Sequence, residues 1–458
     1  MPTTSQYDAI IIGAGQGGKP LALALARAGW KTALIEREYV GGTCINYGCT
    51  PSKTMVASAR VAYLSRRASD YGVKPQAVAI DMARVLERKR AVVQSFRDGS
   101  ERRIREQENL DFLHGEGSFV DSATVQVKLN EGRTVQIRGK KIFINTGGRP
   151  VLPELPGLNE LPWLDSTTIM ELDCVPEHLL VLGGGYVGLE FGQMFRRFGS
   201  QVTIIQRAGQ LLSREDSDVA EAIASILRED GIDISLNTEA ASAKRIAGHI
   251  SLTASTQGGE RVFTGSHLLV APGRVPNSEA LNLAVAGVTT DGGGFIQVNE
   301  FLETNVPGIF AMGDVKGGPA FTHVSYDDFR VLKTNLVDGG RASIRDRLVP
   351  YTVFMDPQLG RVGLTETEAL TQGLNFRVAK MPMSHVARAL ETDESRGFIK
   401  AIVDLADGRI LGCAVLGIEG GEIMSMVQIA MMGHLTEIQL RNAVFAHPTL
   451  AESLNNLF

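Results

Sequence analysis

The apolar run YDAIIIG at residues 7–13 predicts a buried strand, and the glycine turn GAGQGG follows it directly. In KPLALALARAG the apolar positions fall on one face at helical spacing, and KTALIE then reads as a second strand. Strand, glycine turn, helix and strand make one βαβ unit with Gly13, Gly15 and Gly18 at the dinucleotide fingerprint positions. The first glycine permits the tight turn, the second lets backbone approach a pyrophosphate, and the third lets helix pack on strand. Glu36 ends the second strand, where a carboxylate accepts hydrogen bonds from ribose hydroxyls while the helix N-terminus faces the phosphates.

The same pattern returns as HLLVLGGGYVGLEFGQMFRRFGSQVTIIQR, with Gly183, Gly185 and Gly188 in the turn. The offsets agree as well: Gly29 and Gly199 stand equally far beyond the two turns as helix C-caps, and Gln206 stands where Glu36 stands in the first copy. Two dinucleotides are therefore expected. An acid at the second site would repel a 2′-phosphate, whereas Arg207 can pair with one. The second site is accordingly expected to take NADPH in preference to NADH, and the first to take FAD.

The chain has 458 residues, 44% of them hydrophobic, which is globular composition with length for about three domains. Lys and Arg number 46 against 51 Asp and Glu, a net charge of −5, so no basic footprint for nucleic acid or anionic lipid is present. MPTTSQYDAIIIG has no basic leader, cleavage site or twin-arginine pair, and no apolar run has the length of a membrane span. A cytoplasmic protein with small-molecule partners, and with neither nucleic acid nor membrane partner, is expected.

Four cysteines are too few for a secreted disulfide framework, so a close pair is judged as redox or metal chemistry. Only Cys44 and Cys49 lie close together, in the glycine-loosened stretch GGTCINYGCTPSK. No CxxC, HExxH or neighbouring His/Cys cluster completes a metal site, so reversible disulfide formation is expected and no metal ligand is assigned. Cys174 and Cys413 read as core fillers. The charged stretch ERKRAVVQSFRDGSERRIREQENL reads as a solvated helical arm, and EIMSMVQIAMMGHL as an interface or core helix.

Taken with GAGQGG and Glu36, the motifs GGTCINYGCTPSK, TGGRP (146–150), GGGYVGLE, APGRVPN, AMGD and HPTLAE resemble those of the flavoprotein disulfide reductases, which include lipoamide dehydrogenase, glutathione reductase and mercuric reductase. The resemblance spans essentially the whole chain. It implies an α/β fold of two Rossmann-like dinucleotide-binding domains, for FAD and NAD(P), plus a C-terminal α+β dimerisation domain. The implied boundaries are FAD binding at 1–150 with the redox disulfide, NAD(P) binding at 151–274, FAD binding continued at 275–345, and dimerisation at 346–458.

The resemblance also implies roles. Cys49 is similar to the flavin-proximal thiol and Cys44 to the interchange thiol that attacks substrate. Lys53 matches the lysine beside flavin N5, with Glu190 as its partner, and Tyr186 resembles the ring that gates the nicotinamide pocket. Asp314, Thr322, Gly117, Gly42, Thr43, Thr146 and Gly147 match further FAD contacts, and Gln206, Arg207 and Gly273 match NADP contacts. His447 and Glu452 in HPTLAE resemble the acid–base pair that thiol–disulfide exchange requires. In the family that histidine serves the cysteines of the other subunit, which implies a homodimer.

Thr50, Pro272 and Tyr47 depart from the usual family residues without removing a catalytic group. They leave the terminal acceptor open, because residues around the disulfide line the acceptor pocket. The leading expectation is hydride passage from NADPH through FAD to the Cys44–Cys49 disulfide and on to a small-molecule or protein disulfide substrate. SYDDFRV, VPYTVFMDP and ESLNNLF look like the mercuric-reductase-like and reactive-chlorine-resistance branch, which makes Hg(II) or Cu(II) reduction the alternative. The mercuric reductases carry a vicinal C-terminal cysteine pair, and Leu457 and Phe458 end this chain without one. A docking dehydrogenase subunit within a larger complex is the third reading, opposed by retention of Cys44, Cys49, His447 and Glu452 together.

Overall fold

The computed structural model describes residues 5–74 and 77–458. The chain forms two compact units: Met1–Thr54, Arg84–Val151 and Gly273–Arg347 make the first, and Met55–Ala83, Leu152–Pro272 and Leu348–Phe458 the second.

In the first unit the strand Ser5–Ile12 lies between two parallel neighbours, with Ile10 opposite Ala33 on one side and Ile142 on the other. Ala9, Ile10 and Ile11 are completely buried, which explains a continuous apolar run in place of alternation: both faces of a parallel strand are covered. The strand Thr32–Glu36 continues the sheet to Leu110–Phe119, and Ile309–Ala311 extends it beyond Thr134–Ile144. Thr124–Leu129 adds antiparallel pairings to Leu110–Phe119 and Thr134–Ile144. The helix Gly18–Arg27 makes the crossover and buries Leu21, Ala22 and Leu25. A short ribbon pairs Gly148–Pro150 with Arg274–Pro276, so TGGRP and APGRVPN meet.

The second unit repeats the parallel arrangement, with strands ordered His267–Val270, His178–Leu182, Gln201–Ile205 and Asp233–Ser235. Its crossover helix is Tyr186–Phe198, ended by Gly199. A three-stranded antiparallel sheet covers Glu239–Gly265. Residues 351–417 build a five-stranded antiparallel sheet, and the apolar helix Gly420–Met432 buries Ile423, Met424 and Val427 in its core. No helix among the described residues is long and apolar enough to cross a membrane.

Three expectations are corrected. The stretch around Cys44 and Cys49 is not glycine-loosened but helical, as Gly42–Asn46 and Cys49–Arg66. Asn46 accounts for the order, because its buried side-chain amide donates to the carbonyls of Val40 and Gly42. The basic arm is helical over Met82–Arg105, yet it is not simply solvated: Lys89 and Ser100 are buried within it. Cys413 fills a core as expected, but Cys174 is exposed, lying outside the strand that follows it.

Candidate active site

The first glycine turn leaves no room for a side chain at Gly13 or Gly18. Gly13 has φ +104°, and a Cβ on it would come 2.4 Å from the Asn145 carbonyl oxygen; one on Gly18 would come 2.0 Å from the Gly13 oxygen. Gly15 lies against the redox segment, since a Cβ on Gly42 would come 2.8 Å from its Cα. Glu36 braces this turn, its carboxylate accepting the Ala14 amide at 2.9 Å and the Glu38 amide at 2.9 Å. Asn145, which sequence reasoning missed, accepts from Gly18 N at 2.8 Å and donates to the Met312 carbonyl at 2.9 Å. A bare backbone at a helix N-terminus with an acid at the end of the second strand suits the pyrophosphate and ribose of a dinucleotide, so these residues fit FAD.

The other residues expected around FAD also lie in this unit. Thr146 Oγ1 donates to the Asn277 carbonyl at 2.7 Å, and Gly147 follows with φ +69°. Gly117 is buried in the strand Leu110–Phe119. Asp314 stands on a 3-10 turn, where burial raises its carboxyl above the ordinary range and Arg274, 3.9 Å away, opposes that rise.

The second turn repeats the first in the other unit. A Cβ on Gly183 would lie 2.4 Å from the Ala271 oxygen and one on Gly188 would lie 2.1 Å from the Gly183 oxygen, while Gly185 faces open space. Gln206 Oε1 accepts the Gly184 amide at 3.1 Å. Arg207 is exposed and stands 3.6 Å from Glu239, an acid the sequence did not flag. Tyr186, also exposed, opens the helix. Gly273 belongs to the first unit, its carbonyl accepting Val151 N at 3.1 Å.

Cys44 is half-buried and Cys49 exposed, both as free thiols. The Cys49 sulfur lies 3.4 Å from Thr322 Oγ1, at the start of the helix Thr322–Leu336. Lys53 follows Cys49 by one turn of the same helix, while Thr43 is exposed beside Cys44. The hydrogen bond with Cys49, together with burial, pushes the Cys44 thiol well above its ordinary range, and Lys53 opposes the shift. The redox segment is gripped by Arg97, whose guanidinium donates to Asn46 Oδ1 at 3.1 and 2.9 Å and lies over the Tyr39 ring at 3.7 Å. No local pattern announces Arg97, which comes from a helix distant in sequence.

In the second unit His447 Nδ1 meets the Glu452 carboxylate at 2.9 and 3.1 Å, and the imidazole is solvent-exposed. Glu190 is buried, with Oε1 accepting the Phe354 amide at 2.8 Å. Lys53 and Glu190 thus stand in different units. Gln193, one turn beyond Glu190, accepts from Asp356 N at 2.7 Å and donates to the Asp356 carbonyl at 2.8 Å.

The family model for pyridine nucleotide-disulphide oxidoreductases matches residues 7–328, and the model for their dimerisation domain matches residues 349–458, which supports a homodimer. The protein of Escherichia coli (strain K12) described as probable pyridine nucleotide-disulfide oxidoreductase RclA is 40% identical over 458 residues, covering 99% of each chain. Mercuric reductase of Staphylococcus aureus is 34% identical over 98% of this chain and 81% of its own. Dihydrolipoyl dehydrogenase of Geobacillus stearothermophilus is 32% identical over 98% of this chain and 94% of its own. The solved Cu(II) complex of the HOCl-induced flavoprotein disulfide reductase RclA from Escherichia coli matches with a TM-score of 0.91 at 38% identity, over 99% of both chains. The chain belongs to the pyridine nucleotide-disulphide oxidoreductases, enzymes for which FAD and NAD(P)H are the implied cofactors.

Proposed function

We propose that this enzyme uses NADPH to reduce a disulfide substrate through FAD and the Cys44–Cys49 pair, in a homodimer. The observation that carries the reading is the helical redox segment laid against the first glycine turn, with Gly42 on Gly15 and the Cys49 sulfur beside Thr322. FAD, when bound, supplies the carrier that takes a hydride from nicotinamide and delivers two electrons to the disulfide. Gly13, Gly15, Gly18, Glu36, Gly42, Thr43, Gly117, Thr146, Gly147, Asp314 and Thr322 would hold it. Gly183, Gly185, Gly188, Gln206, Arg207 and Gly273 would hold NADPH, with Tyr186 gating access, and Lys53 would stand near the flavin ring.

In the reduced pair the two thiols share one proton, which the proposed order puts on Cys44, hydrogen-bonded to a Cys49 thiolate. Transfer of that proton to His447 of a second copy, oriented by Glu452, frees Cys44 to attack the substrate disulfide. One substrate sulfur leaves and takes the proton back from His447. Cys49 then attacks the Cys44 sulfur, restoring the internal disulfide and releasing the second substrate sulfur, which takes up a proton from solvent through His447. NADPH, a proton and one disulfide thus yield NADP⁺ and two thiols.

A second reading, Cu(II) or Hg(II) as electron acceptor, is favoured by the likeness to the Cu(II) complex and to mercuric reductases. Anaerobic turnover with NADPH against a panel of disulfides and metal ions tests both. Disulfide-dependent NADPH oxidation supports the first, and turnover with a metal ion alone replaces it with the second.

A further inference from the structure

The second glycine turn is held by the loop that follows Gln206. Leu212 N donates to the Gly184 carbonyl at 2.9 Å. Leu211, fully buried, packs so closely that a Cβ on Gly184 would come 2.7 Å from its Cδ2. Gln206 ties the turn to the loop: while its Oε1 accepts the Gly184 amide, its Nε2 donates to the Gln210 carbonyl at 3.2 Å. A carboxylate, as at Glu36, has no proton for that second bond. The loop ends at Glu215, whose carbonyl accepts Gln210 Nε2 at 2.9 Å and whose amide donates to the Leu212 carbonyl at 2.8 Å. Direct hydrogen bonds thus run without a break from Glu215 to the glycine turn.

The Glu215 side chain fastens this loop to the five-stranded sheet of the same unit. Its Oε1 accepts the Tyr351 hydroxyl, and its Oε2 lies 3.5 Å from Arg361 Nε. Tyr351 and Arg361 are cross-strand partners on Tyr351–Val353 and Gln358–Gly363. Asp216, the next residue, accepts the amides of Glu366 and Thr367 at 3.0 and 3.1 Å and meets Lys400 at 3.1 Å. Two adjacent acids therefore pin the end of the loop, and only Glu215 is hydrogen-bonded directly to the loop residues that reach the turn.

We propose that Glu215 is a positioning residue for NADPH, anchoring the loop Gln206–Glu215 on Tyr351 and Arg361 so that the second glycine turn is set for binding. The inference rests on the reading of that turn as the nicotinamide nucleotide site. The surrounding charges give the anchor a pH dependence. Burial pushes the Glu215 carboxyl up to about 7; Arg361 opposes the rise, Asp216 and Glu368 add to it, and Lys400 opposes it. Lys400 is itself shared with Asp218 and Glu366, and Lys380 pairs with Asp218. Among the described residues Glu215 Oε2 accepts no hydrogen bond. A buried carboxylate oxygen without a donor costs more ionised than neutral, so ionisation loosens the anchor. Proton and nucleotide then favour the same loop conformation, and nucleotide affinity falls as the pH rises through about 7.

The test measures Kd for NADP⁺ and NAD⁺ on the oxidised holoenzyme, by perturbation of flavin absorbance, from about pH 6 to about pH 8.5. A phosphate monoester titrates near about 6, equally in every variant, so the readout is the ratio of unmutated to variant Kd. Glu215→Gln stays neutral. It should match the unmutated enzyme at about pH 6 and bind on the order of fivefold more tightly at about pH 8.5. Tyr351→Phe, which lacks the anchoring hydroxyl, should weaken binding on the order of fivefold. In turnover both effects should fall on KM for NADPH, with kcat and the acceptor KM little changed. A Kd ratio for Glu215→Gln that stays at one across the range overturns the proposal. Should that variant fail to hold FAD, an unchanged nucleotide Kd in Tyr351→Phe overturns it equally. An unmutated enzyme that binds NAD⁺ and not NADP⁺ is a different failure: the NADPH preference falls, and the same ratios for NAD⁺ decide the anchor. Binding of neither nucleotide removes the reading of the turn, and the proposal with it.

Discussion

The side-chain oxygen of Gln206 accepts the Gly184 amide at 3.1 Å, in the position where Glu36 accepts the Ala14 amide of the first turn at 2.9 Å. The brace survives the change from carboxylate to amide; the negative charge does not. A neutral brace costs the turn little and removes the repulsion that a 2′-phosphate would meet.

NADPH should therefore be preferred over NADH, with Arg207 contributing about 1.5 to 3 kcal/mol, roughly ten- to a hundredfold in kcat/KM. Arg207→Glu should shrink or reverse the ratio. Glu239, 3.6 Å from Arg207, competes for the guanidinium, so Glu239→Gln should raise the preference by about a few-fold, as expected for exposed charges. An NADH preference in the unmutated enzyme would sink the assignment of Arg207.

The contrast between the two turns shows what was legible. Glycine spacing and the residue ending the second strand are local features, so both βαβ units, their turns and the Glu36/Gln206 difference could be read directly. The cysteine pair and the His447–Glu452 pair were legible for the same reason, each falling within a few residues. What stayed hidden depends on side chains reaching backbone or side chain far along the chain: Asn145 to Gly18, Arg97 to Asn46, and Glu190 to Phe354. Such contacts impose no periodicity, and the helix carrying Arg97 and Ser100 looked merely charged because its buried polar positions are few.

The Cys49 sulfur lies 3.4 Å from Thr322 Oγ1, and the proposed order puts Cys49 next to the flavin with Cys44 as the interchange thiol. Two-electron reduction should produce the long-wavelength absorbance of a thiolate beside flavin. Cys44→Ser should keep or strengthen that band while abolishing disulfide turnover, and Cys49→Ser should remove it. The opposite pattern in the reduced spectra shows the thiols to be exchanged.

Glu215 supplies a pH dependence of stability. It is 6% exposed, hydrogen-bonded by the Tyr351 hydroxyl and 3.5 Å from Arg361, and burial pushes its carboxyl from 4.5 to about 7 against the pull of Arg361. Because the folded pKa is raised, the folded protein binds this proton more tightly than the unfolded chain. The stabilisation is complete below pH 4.5 and is lost as the pH rises through about 7, on the order of 3 kcal/mol across the window. Glu215→Gln should flatten this slope. Melting temperatures of the holoenzyme at about pH 5 and pH 8 check it: the variant must gain on the unmutated protein as the pH rises, and parallel curves would contradict the shift.

His447 separates disulfide from metal chemistry, because only the former needs protons delivered to two departing sulfurs. Its Nδ1 meets Glu452 at 2.9 Å, which leaves Nε2 to exchange a proton with a thiol of the second copy. Removing general acid–base help costs typically about 10² to 10⁴-fold, so His447→Ala should lower disulfide reduction by that factor. Hydride transfer from NADPH should stay nearly intact, since it involves no sulfur proton. A metal ion takes electrons and leaves no thiol to protonate, so Cu(II) or Hg(II) reduction should respond far less. Single-turnover flavin reduction and steady-state assays with each acceptor supply the comparison. A variant that loses disulfide and metal turnover equally removes the proposed division, because His447 then serves a step common to both acceptors. An unmutated enzyme that reduces Cu(II) but no disulfide transfers the function to the metal ion, with Cys44 and Cys49 relaying electrons and His447 without a proton to move.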